Sequence, residues 1–119
     1  MTLSYTPSIL SGSTNGNVIP VVATSTPGTL IHTAIAGTLG FDEVFFWVAN
    51  VTGSAATITV EWGGVSDPAD LATKTLSIPP NGPPVPIMVG QRINGARVVR
   101  AFSNTANALN VTGYTNRIQ

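Results

Sequence analysis

Residue types that commonly carry catalysis are scarce in this chain of 119 residues. It contains one histidine, His32, and no cysteine, which excludes histidine clusters, thiolate metal sites and thiol nucleophiles. Any hydrolytic triad would have to use His32. That residue stands between Ile31 and Thr33 in a predicted strand, and we interpret it as a structural or surface histidine.

The five carboxylates offer little more. Asp42 and Glu43 are adjacent, so they point to opposite faces of an extended chain. Glu43 and Glu61 lie in consecutive predicted strands, where a hairpin would bring them together as in a two-carboxylate glycosidase, but that chemistry needs an aromatic-lined cleft. Asp67 and Asp70 match no calcium loop and fit an ordinary polar turn. We therefore predict no enzymatic activity, metal, cofactor or small-molecule ligand.

Composition narrows the class of partner. Charged residues make up 8% of the chain, against about 25% in typical proteins, and the formal net charge is zero. Five basic residues are too few for a nucleic-acid footprint. No apolar run is long enough to cross a bilayer, and residues 1–17 lack the pattern of a signal peptide. We expect a protein that nothing directs out of the cell where it is made, that binds neither nucleic acid nor membrane, and that is held in an assembly.

The elements that position these residues are predicted to be strands. Twelve glycines and nine prolines punctuate segments rich in Thr, Val and Ile, and helix signals are almost absent apart from one turn at 67–71. This spacing predicts an all-β protein, an antiparallel β-sandwich resembling a jelly roll. About eight short strands are expected, at 17–23, 29–35, 43–51, 57–62, 74–78, 86–89, 97–102 and 107–114.

Two hairpins are predicted. Residues 43–51 form a continuous apolar run typical of a central strand covered on both faces, and the glycine in 52–55 favours a tight turn into 57–62. In 57–62, alternation places Trp62 inward and Glu61 outward. The segment 103–114 is expected to close the sandwich as a second hairpin, with Leu109, Val111 inward and Asn110, Thr112 outward.

Two segments lie outside this pattern. Residues 78–86 are rich in proline and predict a stiff crossing around an Asn81–Gly82 turn, suited to joining the two sheets or to presenting a fixed edge to a neighbour. Residues 1–16 lack alternation and predict an N-terminal arm, either frayed or packed on a neighbouring subunit, before a single domain at 17–119. Candidate contact residues are Leu3, Tyr5, Ile9, Leu10, Pro83, Pro84, Pro86, Arg117 and Ile118. Strand-edge pairing and arm exchange are the expected modes.

Much of the chain resembles a family of small virion proteins of tailed bacteriophages. The resemblance covers residues 29–118. It consists of the pair His32–Thr33, an aromatic strand ending at Asn50, a strand finishing Glu-Trp-Gly-Gly at 61–64, a proline-bearing link, and "NTANALNVTGY" before a final "NRI". These proteins look like capsid decoration or cement proteins, or accessory head and tail components, built as compact β-sandwiches.

This resemblance implies a non-enzymatic virion protein, most readily a decoration protein that binds the major capsid protein and other copies of itself. A tail or head–tail accessory protein is the first alternative. The second is a carbohydrate-binding β-sandwich, alone or as a receptor-binding module. It would need exposed aromatic residues forming a flat platform, for instance Tyr5, Trp47, Trp62 or Tyr114.

Overall fold

The structure, a computed structural model, describes residues 3–119. Within them the chain forms strands and turns without helix, so the all-β prediction is confirmed. The nine strands are β1 Tyr5–Ile9, β2 Ile19–Pro20, β3 Thr29–Thr33, β4 Phe41–Asn50, β5 Ala56–Trp62, β6 Leu71–Ile78, β7 Val85–Ile93, β8 Val98–Ser103 and β9 Leu109–Ile118.

The strands form two antiparallel sheets. Sheet A has the order β1-β9-β4-β7, with β2 also paired to β9, and sheet B has the order β3-β8-β5-β6. Pairing is nested about the middle of the chain: β5 pairs with β6, β4 with β7, β3 with β8 and β2 with β9. The chain is thus one long antiparallel ribbon rolled into two layers, which is the arrangement of a jelly roll.

Both predicted hairpins are wrong. β4 belongs to sheet A and β5 to sheet B, so the link between them crosses from one layer to the other. The segment 103–114 likewise joins β8 in sheet B to β9 in sheet A. The links at 51–55 and 104–108 are short enough for either a hairpin or a crossing between sheets. The nested pairing of the ribbon requires that both of them cross. The predicted orientation within β9 is confirmed, because Leu109 and Val111 are buried whereas Thr112 is exposed.

Asn50 holds two of the crossings together at one end of the sandwich. Its side-chain amide donates to the carbonyls of Ser54 (2.8 Å) and Ile78 (3.1 Å), and its oxygen accepts from the N–H of Thr52. The Asn50 carbonyl accepts from the N–H of Asn81, in the proline-rich link between β6 and β7. That link joins the two sheets as predicted.

Burial in β4 alternates strictly, which corrects the expectation of a strand covered on both faces. Residues at even positions from 42 to 50 are buried, and those at odd positions are half-buried on the outer side of sheet A. The inner side contributes Phe46 to a core between the sheets, where it meets residues such as Ile58 and Leu109.

Glu61 is buried, not outward-facing as the alternation of 57–62 predicted. Its carboxylate accepts from the N–H of Gly28 (2.7 Å) and the hydroxyl of Thr26 (2.5 Å). The loop before β3 therefore covers this part of sheet B and supplies the donors that a buried carboxylate requires.

The N-terminal segment folds onto the sandwich. β1 pairs antiparallel with β9 from Tyr5 opposite Ile118 to Ile9 opposite Tyr114, and Leu10 is 1% exposed in the core. Residues 10–18 then leave the sheet before β2 rejoins β9. The first two residues of the predicted arm lie outside the described part of the chain. The described remainder packs within its own sandwich.

Candidate interaction surface

The outer side of sheet A carries most of the aromatic residues. Residues opposite one another in a sheet share a face, so the strand register defines rows across it. One row runs Ile9, Tyr114, Phe45, Val89, and the row two residues away along β4 places Trp47 between Thr112 and Pro86. At the other end, Tyr5, Ile118 and Phe41 form a third row. We call this surface the aromatic face: Tyr5, Ile9, Phe41, Glu43, Phe45, Trp47, Pro86, Val89, Arg92, Tyr114 and Ile118.

The centre of the aromatic face is a set of stacked rings. The ring centroids of Phe45 and Tyr114 lie 4.8 Å apart with planes 13° from parallel, and Trp47 lies 6.2 Å from Tyr114 at 28°. The ring faces are therefore turned toward one another across the strands. A β-carbon on Gly90, in a bulge of β7 with φ +89°, would lie 3.3 Å from the Phe45 ring, so glycine leaves that ring its space.

A small polar group borders these rings. Arg92 Nε donates to Glu43 Oε2 (3.2 Å), and the Arg92 guanidinium lies 4.6 Å from the centre of the Phe41 ring. The Tyr5 hydroxyl donates to Glu43 Oε1 (3.3 Å). The face therefore has one negative and one positive group, already paired, and large exposed apolar side chains: Tyr5 and Val89 are each 62% exposed.

The predicted contact residues fall into three groups. Tyr5, Ile9, Pro86 and Ile118 lie on the aromatic face. Leu3, Pro83 and Pro84 are exposed outside the strands. Leu10 and Arg117 are used inside the chain: Leu10 is buried in the core, and Arg117 binds a buried carboxylate. The sequence alone does not point to Phe45 or Val89, and it suggests Trp47 and Tyr114 only as parts of a carbohydrate-binding platform. The signal for Phe45 and Trp47 is their odd-numbered position in β4. The continuous apolar run at 43–51 predicts that both faces of this strand are covered, and so hides that signal.

That carboxylate, Asp42, is the centre of a second cluster, between β3, β4 and β9. Asp42 is fully buried and accepts a bidentate pair from Arg117, Nε to Oδ1 at 2.8 Å and Nη2 to Oδ2 at 3.0 Å. His32 Nε2 also donates to Oδ2 (2.7 Å), because its Nδ1 accepts the Ser11 N–H (3.0 Å). The Ile35 N–H completes the set at 3.1 Å.

The cluster has a structural role. Burial alone would raise the pKa of Asp42, but hydrogen bonds from Arg117 and His32, together with the charge of Arg117, outweigh it and hold the pKa below its ordinary value. The Ser11 hydroxyl, next to the N–H that His32 accepts, itself accepts the Thr33 N–H. The cluster thus ties the segment after β1 to both sheets. His32, interpreted from the sequence as a structural or surface histidine, is buried within it.

Two shallow depressions lie at the end of the sandwich near Trp62. One, of about 300 Å³, is lined by residues that include Trp62, Asp70 and Arg97, and the neighbouring one, of about 240 Å³, by Phe41 and Arg92 among others. Their polar groups are engaged: Arg97 donates to the Gly63 carbonyl, and Asp70 accepts from the Ser66 N–H. Both depressions are open to solvent, and neither brings together an acid and a base.

Residues 3–119 contain no group of three potential metal-ligating side chains. Among those residues, no helix is long and apolar enough to cross a membrane. Every buried side-chain nitrogen or oxygen in this part of the chain has a hydrogen-bond partner. Comparisons of the chain with protein families, curated proteins and solved structures find no match. Among the described residues, the aromatic face is the candidate interaction surface that groups the largest number of aromatic side chains.

Proposed function

We propose that this protein is a non-enzymatic structural component of a virion, a decoration protein that binds the outer shell of a tailed bacteriophage after synthesis in the host cytoplasm. The major capsid protein and further copies of this chain are its partners. The observation that carries the proposal is the aromatic face, a broad apolar surface on a rigid jelly roll with few charges. The resemblance of residues 29–118 to small phage virion proteins supplies the biological setting.

Internal pairing of polar groups supports a role that depends on surfaces. The buried charged residues Asp42 and Glu61 are each satisfied by donors of the same chain, so neither offers an unused group for chemistry. A protein that coats a repetitive shell needs a rigid body and contacts that are individually weak, because many copies act together. The two-layered jelly roll provides the rigid body, and a surface with few charges suits contacts that are individually weak.

Carbohydrate binding finds less support. Sugars stack on aromatic ring faces that are open to solvent, whereas the faces of Phe45 and Tyr114 are turned toward each other at 4.8 Å. Trp62 lies apart from these rings, half-buried against the core. A tail or head–tail position uses the same surfaces as a capsid position, and the binding experiment separates the two.

Rebinding to shells tests the proposed function. Purified protein, fluorescently labelled at its N-terminus, is mixed with undecorated shells of the phage that encodes it, with already decorated shells as the control. We expect saturable binding to the undecorated shells at a fixed number of copies per shell and little binding to decorated ones. Binding to isolated tails alone would move the protein to the accessory class. Binding to neither would overturn a virion role.

A further inference from the structure

We propose that the aromatic face is covered by the same face of a second copy of this chain, so that two sandwiches pack sheet against sheet about a two-fold axis. This inference rests on the proposed function, since it defines the unit that would meet the shell. In that unit the outer side of sheet B and the exposed prolines at 83 and 84 stay free to contact a shell.

Features that disfavour pairing of strand edges are present in β1, β3, β6 and β7. Just before β1, Ser4 and Gln119 exchange both backbone hydrogen bonds, so alternation places the nitrogen of Pro7 on the open edge, where it has no hydrogen to donate. Pro86 and two bulges interrupt β7, and a bulge interrupts β3. In β6, Thr75 has a φ of +49° beside a register shift. Such features disfavour edge pairing, which favours assembly through the faces of the sheets.

The size of the aromatic face suits a dimer. Four strands about 4.8 Å apart, with ten residues in the longest strands at about 3.4 Å each, span roughly 600 Å². A standard protein interface buries about 800 Å² on each partner. The flanking exposed side chains, among them Leu3 at 57%, lie beyond the strands and extend the area. Two sheets of this size pack face to face in the manner of a β-sandwich core.

Charge on the face is self-complementary. Its single carboxylate, Glu43, and its guanidinium, Arg92, lie opposite each other in one row. Two copies related by a two-fold axis therefore meet without net repulsion, and an isologous interface requires this balance. The Arg92 side chain is 63% exposed and Glu43 only 15%, so guanidinium nitrogens beyond Nε remain open to acceptors on the opposing copy. A strongly charged partner would find no complement here.

Sedimentation equilibrium of the full chain between about 1 and 100 μM tests this pairing. We expect a mass twice the 12.3 kDa of the monomer at the upper concentrations. Val89→Lys and Ile9→Lys, at exposed positions in the central row, should each weaken the dimer at least about tenfold, since each buries an ammonium group against apolar side chains. Val65→Lys is the matched control, because Val65 is 47% exposed in the loop after β5, and it should leave the dimer unchanged.

Each outcome supports or overturns the proposed dimer. A wild-type monomer at 100 μM overturns it, as does a dimer that Val89→Lys and Ile9→Lys leave intact. Circular dichroism of each variant separates loss of the dimer from loss of the fold. If the chain is monomeric and Val89→Lys abolishes shell binding, the aromatic face binds the shell and not a second copy. The proposed function then stands and the dimer does not. If the dimer forms and no shell is bound, the pairing stands and the proposed function fails.

Discussion

Replacing Asp42 by alanine should lower the free energy of unfolding by about 3–5 kcal/mol, the usual effect of removing one partner from a buried ion pair. The carboxylate is fully buried and accepts from Arg117, His32 and the Ile35 N–H. Without it, the guanidinium loses its counter-charge and two further donors lose their acceptor inside the protein. Urea unfolding followed by tryptophan fluorescence measures the change.

An exposed ion pair provides the control for Asp42. Asp67 and Lys74 are joined at 3.0 Å, but both side chains are more than half exposed. Asp67→Ala should therefore cost no more than about 1 kcal/mol. If Asp42→Ala is too unstable to purify, Asp42→Asn, which keeps the shape and one acceptor oxygen, takes its place and should still cost more than Asp67→Ala. Equal losses at the two sites would contradict the structural role assigned to the cluster.

The same cluster predicts acid sensitivity. Because the pKa of Asp42 in the folded protein lies below its ordinary value of 3.8, the folded state binds fewer protons than the unfolded state in this range. The stabilisation is complete above pH values near 3.8 and is lost as the pH falls through the folded-state pKa. A carboxyl-carbon NMR titration of Asp42 should give a midpoint below 3.8. A midpoint at or above that value would contradict the arrangement of donors around it.

Local patterns in the sequence predicted strands well but not their sheets. The alternation at 109–112 reflects burial of one face, which is a property of a few neighbouring residues. In 57–62 the same alternation misplaces Glu61, because a distant loop covers the second face of that strand. Whether β4 continues into β5 as a hairpin or crosses to the other layer depends on pairing with β9 and β7, which lie far along the chain. The link at 51–55 carries no residue type that distinguishes the two outcomes.

The composition of the aromatic face was partly predictable for a related reason. Tyr5, Ile9 and Ile118 were singled out because apolar residues near the ends of a chain suggest contacts, and they lie on the aromatic face. Phe45 and Val89 were missed, since membership of one surface is set by strand register between segments more than forty residues apart. The Asp42 cluster could not be predicted for the same reason, because Arg117 is 75 residues from Asp42 in sequence.

Gly113 is the position where the smallest substitution should have one of the largest effects. It lies in β9, directly opposite Phe46 of the neighbouring strand β4. A β-carbon there would lie 2.7 Å from Phe46 Cα and closer still to the Phe45 carbonyl oxygen. These obstacles are backbone atoms in the middle of a sheet, so they cannot move without separating β4 from β9. We expect Gly113→Ala to lower the free energy of unfolding by at least about 3 kcal/mol, at the upper end for overpacking.

Gly53→Ala is the matched control for Gly113, because it adds the same methyl group at a position where a β-carbon has no neighbour within 4 Å. Its effect should stay within about 1 kcal/mol, on the stabilising side, since alanine reduces the freedom of the unfolded chain. Urea unfolding of the two variants in parallel separates steric contact from the general cost of replacing glycine. Equal effects would mean that β4 and β9 do not approach as closely as the structure requires, and the stacking of Tyr114 on Phe45 depends on that approach.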